Sequence, residues 1–203
     1  MKALILKDLF TLFKQLKFFL LVIVVFACLP GSSFAGFAII YAAMLPITAL
    51  AYDERSKWNH LAAMMPYSTS RLVLSKYVLG YLLTAAAVVL SVATQFVVAL
   101  VRRISFGGVD LITGLLFFCI ALILQSINLP FMFRFGVEKG RLAFILLIVI
   151  STSIMTLGQN ILKMFASVTG NMMLALAIAA LAAVAINAVS ILASKKLYQN
   201  AKN

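Results

Sequence analysis

Carboxylates, histidine and cysteine are nearly missing from this chain. Among 203 residues there are five acids (Asp8, Asp53, Glu54, Asp110 and Glu138), one histidine (His60) and two cysteines. None of the acids lies deep in an apolar run, so no mid-membrane group is evident for a proton relay or for coupling to an ion gradient. Cys28 and Cys119 fall in apolar runs without metal-like spacing and read as small apolar filler. No nucleophile elbow or zinc-protease helix is present, and His60 near Asp53 and Glu54 is an isolated polar group. The chain is therefore not expected to be an enzyme. It also lacks the G-x-x-x-x-G-K-[ST] phosphate loop; the Gly136–Arg141 stretch has the wrong spacing. Any uphill movement must draw its energy from another chain; no cofactor is expected in this one.

Charge of either sign is scarce as well. Charged residues make up 11% of the chain, hydrophobic residues 65%, and the mean hydropathy is +1.13. Soluble domains are about 25% charged, so this sequence has too little polar surface to face water. A helix needs about 20 mostly apolar residues to cross a bilayer. Six runs qualify: Phe18–Ser33, Phe34–Tyr52, Leu72–Val101, Leu111–Phe133, Leu142–Leu162 and Asn171–Ser194. Pro30-Gly31-Ser32-Ser33 reads as a tight outer turn joining the first two. Lys76, near the start of the third, places that end in the interface. Unbroken runs such as Leu20-Leu21-Val22-Ile23-Val24-Val25 exclude the alternation of barrel strands. The expected fold is an all-α membrane protein of one domain, residues 1–203.

The seventeen basic residues orient it. Fourteen fall on one side: Lys2, Lys7, Lys14 and Lys17; Arg55, Lys57, Arg71 and Lys76; Arg134, Lys139 and Arg141; Lys195, Lys196 and Lys202. Only Arg102, Arg103 and Lys163 fall on the other. The bias places both termini in the cytoplasm and requires an even number of spans. A net charge of +12, spread over four inner segments, faces anionic headgroups of membrane lipids rather than nucleic acid. Lysines before an apolar run, with Ser33-Phe34-Ala35 ahead of Gly36, also look like a cleavable leader. Cleavage would discard four inner lysines and leave an odd number of spans. Residues 1–17 are expected instead to form an interfacial elbow helix, with Lys7, Asp8, Thr11, Lys14 and Gln15 on its polar face.

Two stripes at i, i+4 spacing mark the interior. They are Ala87, Ser91, Gln95 and Ala99 in the third run, and Ala175, Ala179, Ala183 and Asn187 in the sixth. Small residues and amides at this spacing serve close helix packing. The other reading is a translocation path lined by Gln95, Gln125, Asn128, Gln159 and Asn187. Such a path offers hydrogen bonds but no fixed charge, which suits amphipathic or lipid-like cargo.

The richest polar segment, residues 53–71, follows the second run. Asp53 and Glu54 read as the acidic start of a helix. Trp58, Leu61, Ala62 and Met65 then repeat at amphipathic helical spacing, Pro66 ends the pattern, and Ser68-Thr69-Ser70 restarts a helix. An interfacial anchor and a docking element for a soluble partner fit this segment equally well.

Tyr52-Asp53-Glu54-Arg55, Lys57-Trp58, Met65-Pro66-Tyr67, Arg71 and Leu74-Ser75-Lys76-Tyr77 resemble the signature of small ABC-2-type permease subunits, including those of exporters for phenol-soluble modulins and related antimicrobial peptides. The six-span layout, basic elbow and long first inner loop match too, although the second run carries Pro46. The resemblance implies a plasma-membrane exporter subunit, paired with an identical or homologous subunit and driven by two copies of a cytosolic ABC ATPase. Its coupling helix would lie in the first inner loop, with Asp53, Glu54, Arg55, Trp58, Met65 and Arg71 contacting or positioning the ATPase. The expected cargo is an amphipathic peptide. An immunity or sensor subunit that does not transport, and an ATP-independent pore-former, are the alternatives.

Overall fold

The computed structural model describes residues 2–28, 32–65, 68–103, 111–112, 114–136 and 172–200. These form helices α1 (Lys2–Cys28), α2 (Ser32–Ala42), α3 (Leu45–Arg55), α4 (Trp58–Met64), α5 (Thr69–Arg102), α6 (Gly114–Gly136) and α7 (Met172–Asn200), with no strand among the described residues. Within them, Thr69–Val101, Gly114–Gly136 and Leu176–Tyr198 are long and apolar enough to cross a membrane. They coincide with the third, fourth and sixth expected spans. The fifth, Leu142–Leu162, lies outside the described residues.

Two expectations change at the amino-terminal end. The elbow and the first span are one continuous helix, α1, because nothing between Lys2 and Cys28 breaks the i→i+4 ladder. Its orientation is that of a protein in lipid. Leu4, Asp8 and Leu12 are buried, whereas Leu6, Phe10, Phe13 and Phe18 point outward. The second run is two helices, broken at Ala43-Met44. Pro46 has no N–H, so the Ala42 carbonyl loses its helical donor. The chain answers with tighter bonds, Met44 N–H to Tyr41 O (3.1 Å) and Ile47 N–H to Met44 O (3.1 Å). A backbone break is tolerated at membrane depth only inside protein, and Ala42, Ala43, Met44 and Leu45 are all buried.

Packing follows side-chain size. Leu12, Ala38, Ala42, Leu45, Ala49, Leu79, Leu83 and Ala87 join α1, α2, α3 and α5, the alanines permitting close helix approach. Ile39, Ile40 and Ala43 meet Phe117, Ala121 and Leu124 of α6. Tyr77, Val73 and Leu129 gather Ile191 and Tyr198 of α7. Helix α6 is central: 56% of its most apolar window is buried, against 17% for α5 and α7. On α5 and α7, Val89, Val97, Leu100, Leu181, Val184 and Leu192 are exposed.

Candidate functional site

At one end of the bundle, four charges from three helices close a ring. Helix α1 contributes Lys7 and Asp8, α3 contributes Asp53, and α5 contributes Lys76. Lys76 Nζ donates to Asp8 Oδ2 (2.7 Å) and Asp53 Oδ2 (2.6 Å). Lys7 Nζ donates to Asp53 Oδ1 (2.5 Å) and stands 3.0 Å from Asp8 Oδ1. Signs alternate around the ring and the sum is zero. Asp8, Asp53 and Lys76 are buried, while the Lys7 side chain keeps 26% of its surface. A cavity of about 20 Å³ adjoins the ring, walled by Leu4, Trp58, Phe133 and Tyr198 among others.

The ring corrects the reading of the acidic pair. Asp53 and Glu54 sit at the carboxyl end of α3, not at a helix start. The helix dipole opposes negative charge there, and the two ammonium groups offset it for Asp53. Lys7 Nζ also lies 4.3 Å from the centre of the Trp58 ring, a cation–π contact that joins the ring to α4.

Helix α4 begins two residues after α3. Lys57, in the left-handed region at φ 52°, makes the turn. The helix runs Trp58–Met64, as the periodicity predicts, but its apolar residues do not all face inward. Ala62 is buried and Trp58 half-buried, whereas Leu61, Met64 and Met65 are exposed. Glu54, Arg55, Lys57 and Arg71 are exposed as well. Glu54 reaches the end of α6: a Cβ placed on Gly136 would stand 3.2 Å from Glu54 Oε1. Gly136 has φ +73°, a backbone conformation that favours glycine.

A second polar group holds α5, α6 and α7 together. Ser190 Oγ donates to the Ser126 carbonyl (2.5 Å), which commits its proton. The Tyr77 hydroxyl, 2.6 Å from Ser190 Oγ, must then donate to it, and Ser194, 2.8 Å away, to Tyr77. Tyr81 donates to Asn187 Oδ1 (2.8 Å), and Asn187 Nδ2 to the Ala183 carbonyl (2.9 Å). Gln125 Nε2 donates to the Tyr77 carbonyl (3.3 Å).

Of the residues proposed for a path, Gln125, Asn128 and Asn187 are therefore buried between helices, and Gln95 is half-buried. Gln125 Oε1 and Asn128 Oδ1 have no hydrogen-bond partner. Gln159 lies outside the described residues. Two open apolar grooves flank the α6–α7 contact. One of about 430 Å³ is lined by Ile127, Pro130, Phe131 and Val189; the other, about 390 Å³, by Tyr81, Phe118, Leu122 and Ile191.

Lys7, Asp8, Lys76, Tyr77 and Tyr81 were not among the expected site residues. Their signal was available: a lone acid in a basic segment and a lone lysine at an apolar run each need an opposite charge.

The family model described as ABC-2 family transporter protein matches residues 3–199. No curated protein and no solved structure matches the chain.

Proposed function

The chain belongs to the ABC-2 transporter family, a family of membrane-embedded permeases that partner with an ABC ATPase, and from that premise we propose that it is the permease subunit of an ATP-driven exporter of amphipathic peptides. In this reading the chain crosses the plasma membrane six times with both termini in the cytoplasm. It pairs with a second permease subunit, identical or homologous, and two cytosolic ATPase subunits bind ATP and Mg.

Helix α4 carries the proposal. It is a short helix between the 11-residue α3 and the 34-residue α5, with Leu61, Met64 and Met65 exposed at its surface and Arg55, Lys57 and Arg71 exposed around it. A small apolar patch rimmed by charge fits a cleft in a soluble partner. In this reading Glu54, Arg55, Met65 and Arg71, all exposed, contact the ATPase. Asp53 and Trp58 position α4 through the ring. The apolar grooves beside α7, with amides and hydroxyls but no fixed charge, support a cargo having a long apolar face. Asn187 and Gln125 would meet that cargo only if the α5–α7 seam opens.

Co-purification tests the docking. The wild-type permease, solubilised from its own host, should retain a cytosolic ATPase and stimulate its hydrolysis. Glu54→Lys or Met64→Asp should lose that association while the purified permease keeps its wild-type melting temperature. Normal association and stimulation in both variants would remove α4 from the interface.

A further inference from the structure

Each ring member touches two of the opposite sign, and the four come from three separate helices. The contacts of 2.5–3.0 Å tolerate little displacement. Sliding α3 past α1 or α5 by about one helical turn, 5 Å, would separate opposite charges in a buried, poorly screened place. Apolar packing above the ring acts in the same direction, since Leu12, Leu45, Ala49 and Leu79 interlock α1, α3 and α5. Below it, the Lys7 ammonium rests on Trp58, the first residue of α4. Tyr198 of α7 and Phe133 of α6 close the adjoining cavity from the far side, edge to face at 5.6 Å.

We propose that Lys7, Asp8, Asp53 and Lys76 are positioning residues for energy coupling, clamping the first turns of α1 and α5 to α3 and α4 so that all four shift as one body when α4 is pushed. The inference rests on the reading of α4 as the docking helix. It adds where the push goes: into α1 and into the full length of α5. Lys7 is the member most open to water and, among the described side chains, the one bonded to both the ring and α4. It is the contact through which α4 is held.

A role confined to folding and a role in transmission separate in one variant. Asp8→Asn alone leaves a positive charge uncompensated. Asp8→Asn with Lys76→Met removes one charge of each sign and keeps Lys7 paired with Asp53. The double variant should fold and retain the ATPase, because Leu61, Met64 and Met65 are untouched, yet transmit poorly. The measurement uses the full chain, with Cys28 and Cys119 replaced by alanine and spin labels at Leu6 and at Ser56 in the α3–α4 turn, both exposed. In the otherwise unaltered chain the distance should be narrow, and unchanged when the co-purified ATPase is given a non-hydrolysable ATP analogue. In the double variant the distribution in the permease alone should broaden by about the 1–2 Å of an unclamped helix shift. ATPase stimulation should fall at least about fivefold, the low end of an allosteric coupling. A distribution as narrow as the parent's, or full stimulation, in the double variant would overturn the clamp. So would a parent distance that moves by about 5 Å, one helical turn, with nucleotide. If the parent retains no ATPase, the docking reading falls by itself, and the width measured on the permease alone still decides the clamp.

Discussion

Two polar regions hold the described helices of this molecule together, and they use opposite chemistry. Around α1, α3 and α5 the fastening is ionic, with four alternating charges that pair with one another. Between α5, α6 and α7 it is neutral, a chain of hydroxyls and amides that bond to one another and to backbone carbonyls. Neutral hydrogen bonds between membrane helices are worth about 0.6 kcal/mol on average, because alternative partners are easily found. Breaking a buried ion pair by removing one partner costs about 3–5 kcal/mol. The ionic region is suited to staying assembled during a transport cycle. The neutral one is suited to separating and re-forming, as the proposed transport role asks of a seam beside an open apolar groove.

The largest expected effect breaks the ring by one member. Lys76→Met leaves Asp8 and Asp53 sharing a single lysine; Asp8→Asn leaves the opposite excess. Each should destabilise the folded permease by about 3–5 kcal/mol, seen as a lower melting temperature or as loss of monodisperse protein in detergent. Restoring neutrality in the pair Asp8→Asn/Lys76→Met should recover most of that loss. If both single variants melt with the wild type, the region is not ionically fastened and the contrast with the seam disappears.

An intermediate effect is expected where α5 meets α6. A Cβ added at Gly80 would stand 2.2 Å from Gln125 Nε2. Gln125 must then swing out of a buried site and abandon the Tyr77 carbonyl. Gly80→Ala should cost about 1–3 kcal/mol, as overpacking does. Adding Gln125→Ala makes room, so the double variant should be more stable than the two single losses summed, a coupling that a double-mutant cycle measures. Additive losses would mean that the amide does not face Gly80.

How far the sequence reveals these regions depends on the distance over which the chain must act. The long helices are legible because their cause is local. Apolar runs bounded by charge predict spans over Leu72–Val101 and Asn171–Ser194, and helices are found at Thr69–Arg102 and Met172–Asn200. Helix α4 is legible as a helix for the same reason. Its orientation is not, because Trp58 turns inward toward Lys7, a partner 51 positions away in the chain, while Leu61 and Met64 face out. Pro46 announces a break, but an apolar run of normal length conceals it. The ring is the least legible feature. Its bonds join residues 23, 46 and 68 positions apart, and nothing in the local pattern selects one lysine of seventeen basic residues. Only the general rule that a buried charge needs a counter-charge points toward it. The path residues illustrate the reverse limit. An amide in an apolar helix is easily spotted, yet Asn187 and Gln125 bond to neighbouring helices here, and spacing alone does not distinguish packing from a passage.

The smallest expected effect belongs to the seam and sharpens the comparison most. Tyr77→Phe removes the hydroxyl that links Ser190 and Ser194 but keeps the ring packed against Val73 and Leu129. Ser190 stays bonded to the Ser126 carbonyl, and Ser194 can turn to a carbonyl one helical turn back in its own helix. The loss should be about 0.6 kcal/mol, near the limit of a melting measurement. Transport is the more sensitive readout. If the seam must open, weakening it should leave ATPase association intact and raise transport or its basal hydrolysis, whereas the single ring variants lower both. A loss from Tyr77→Phe as large as that from Lys76→Met would make the neutral seam as rigid as the ionic one. The division of labour between the two regions would then have no basis.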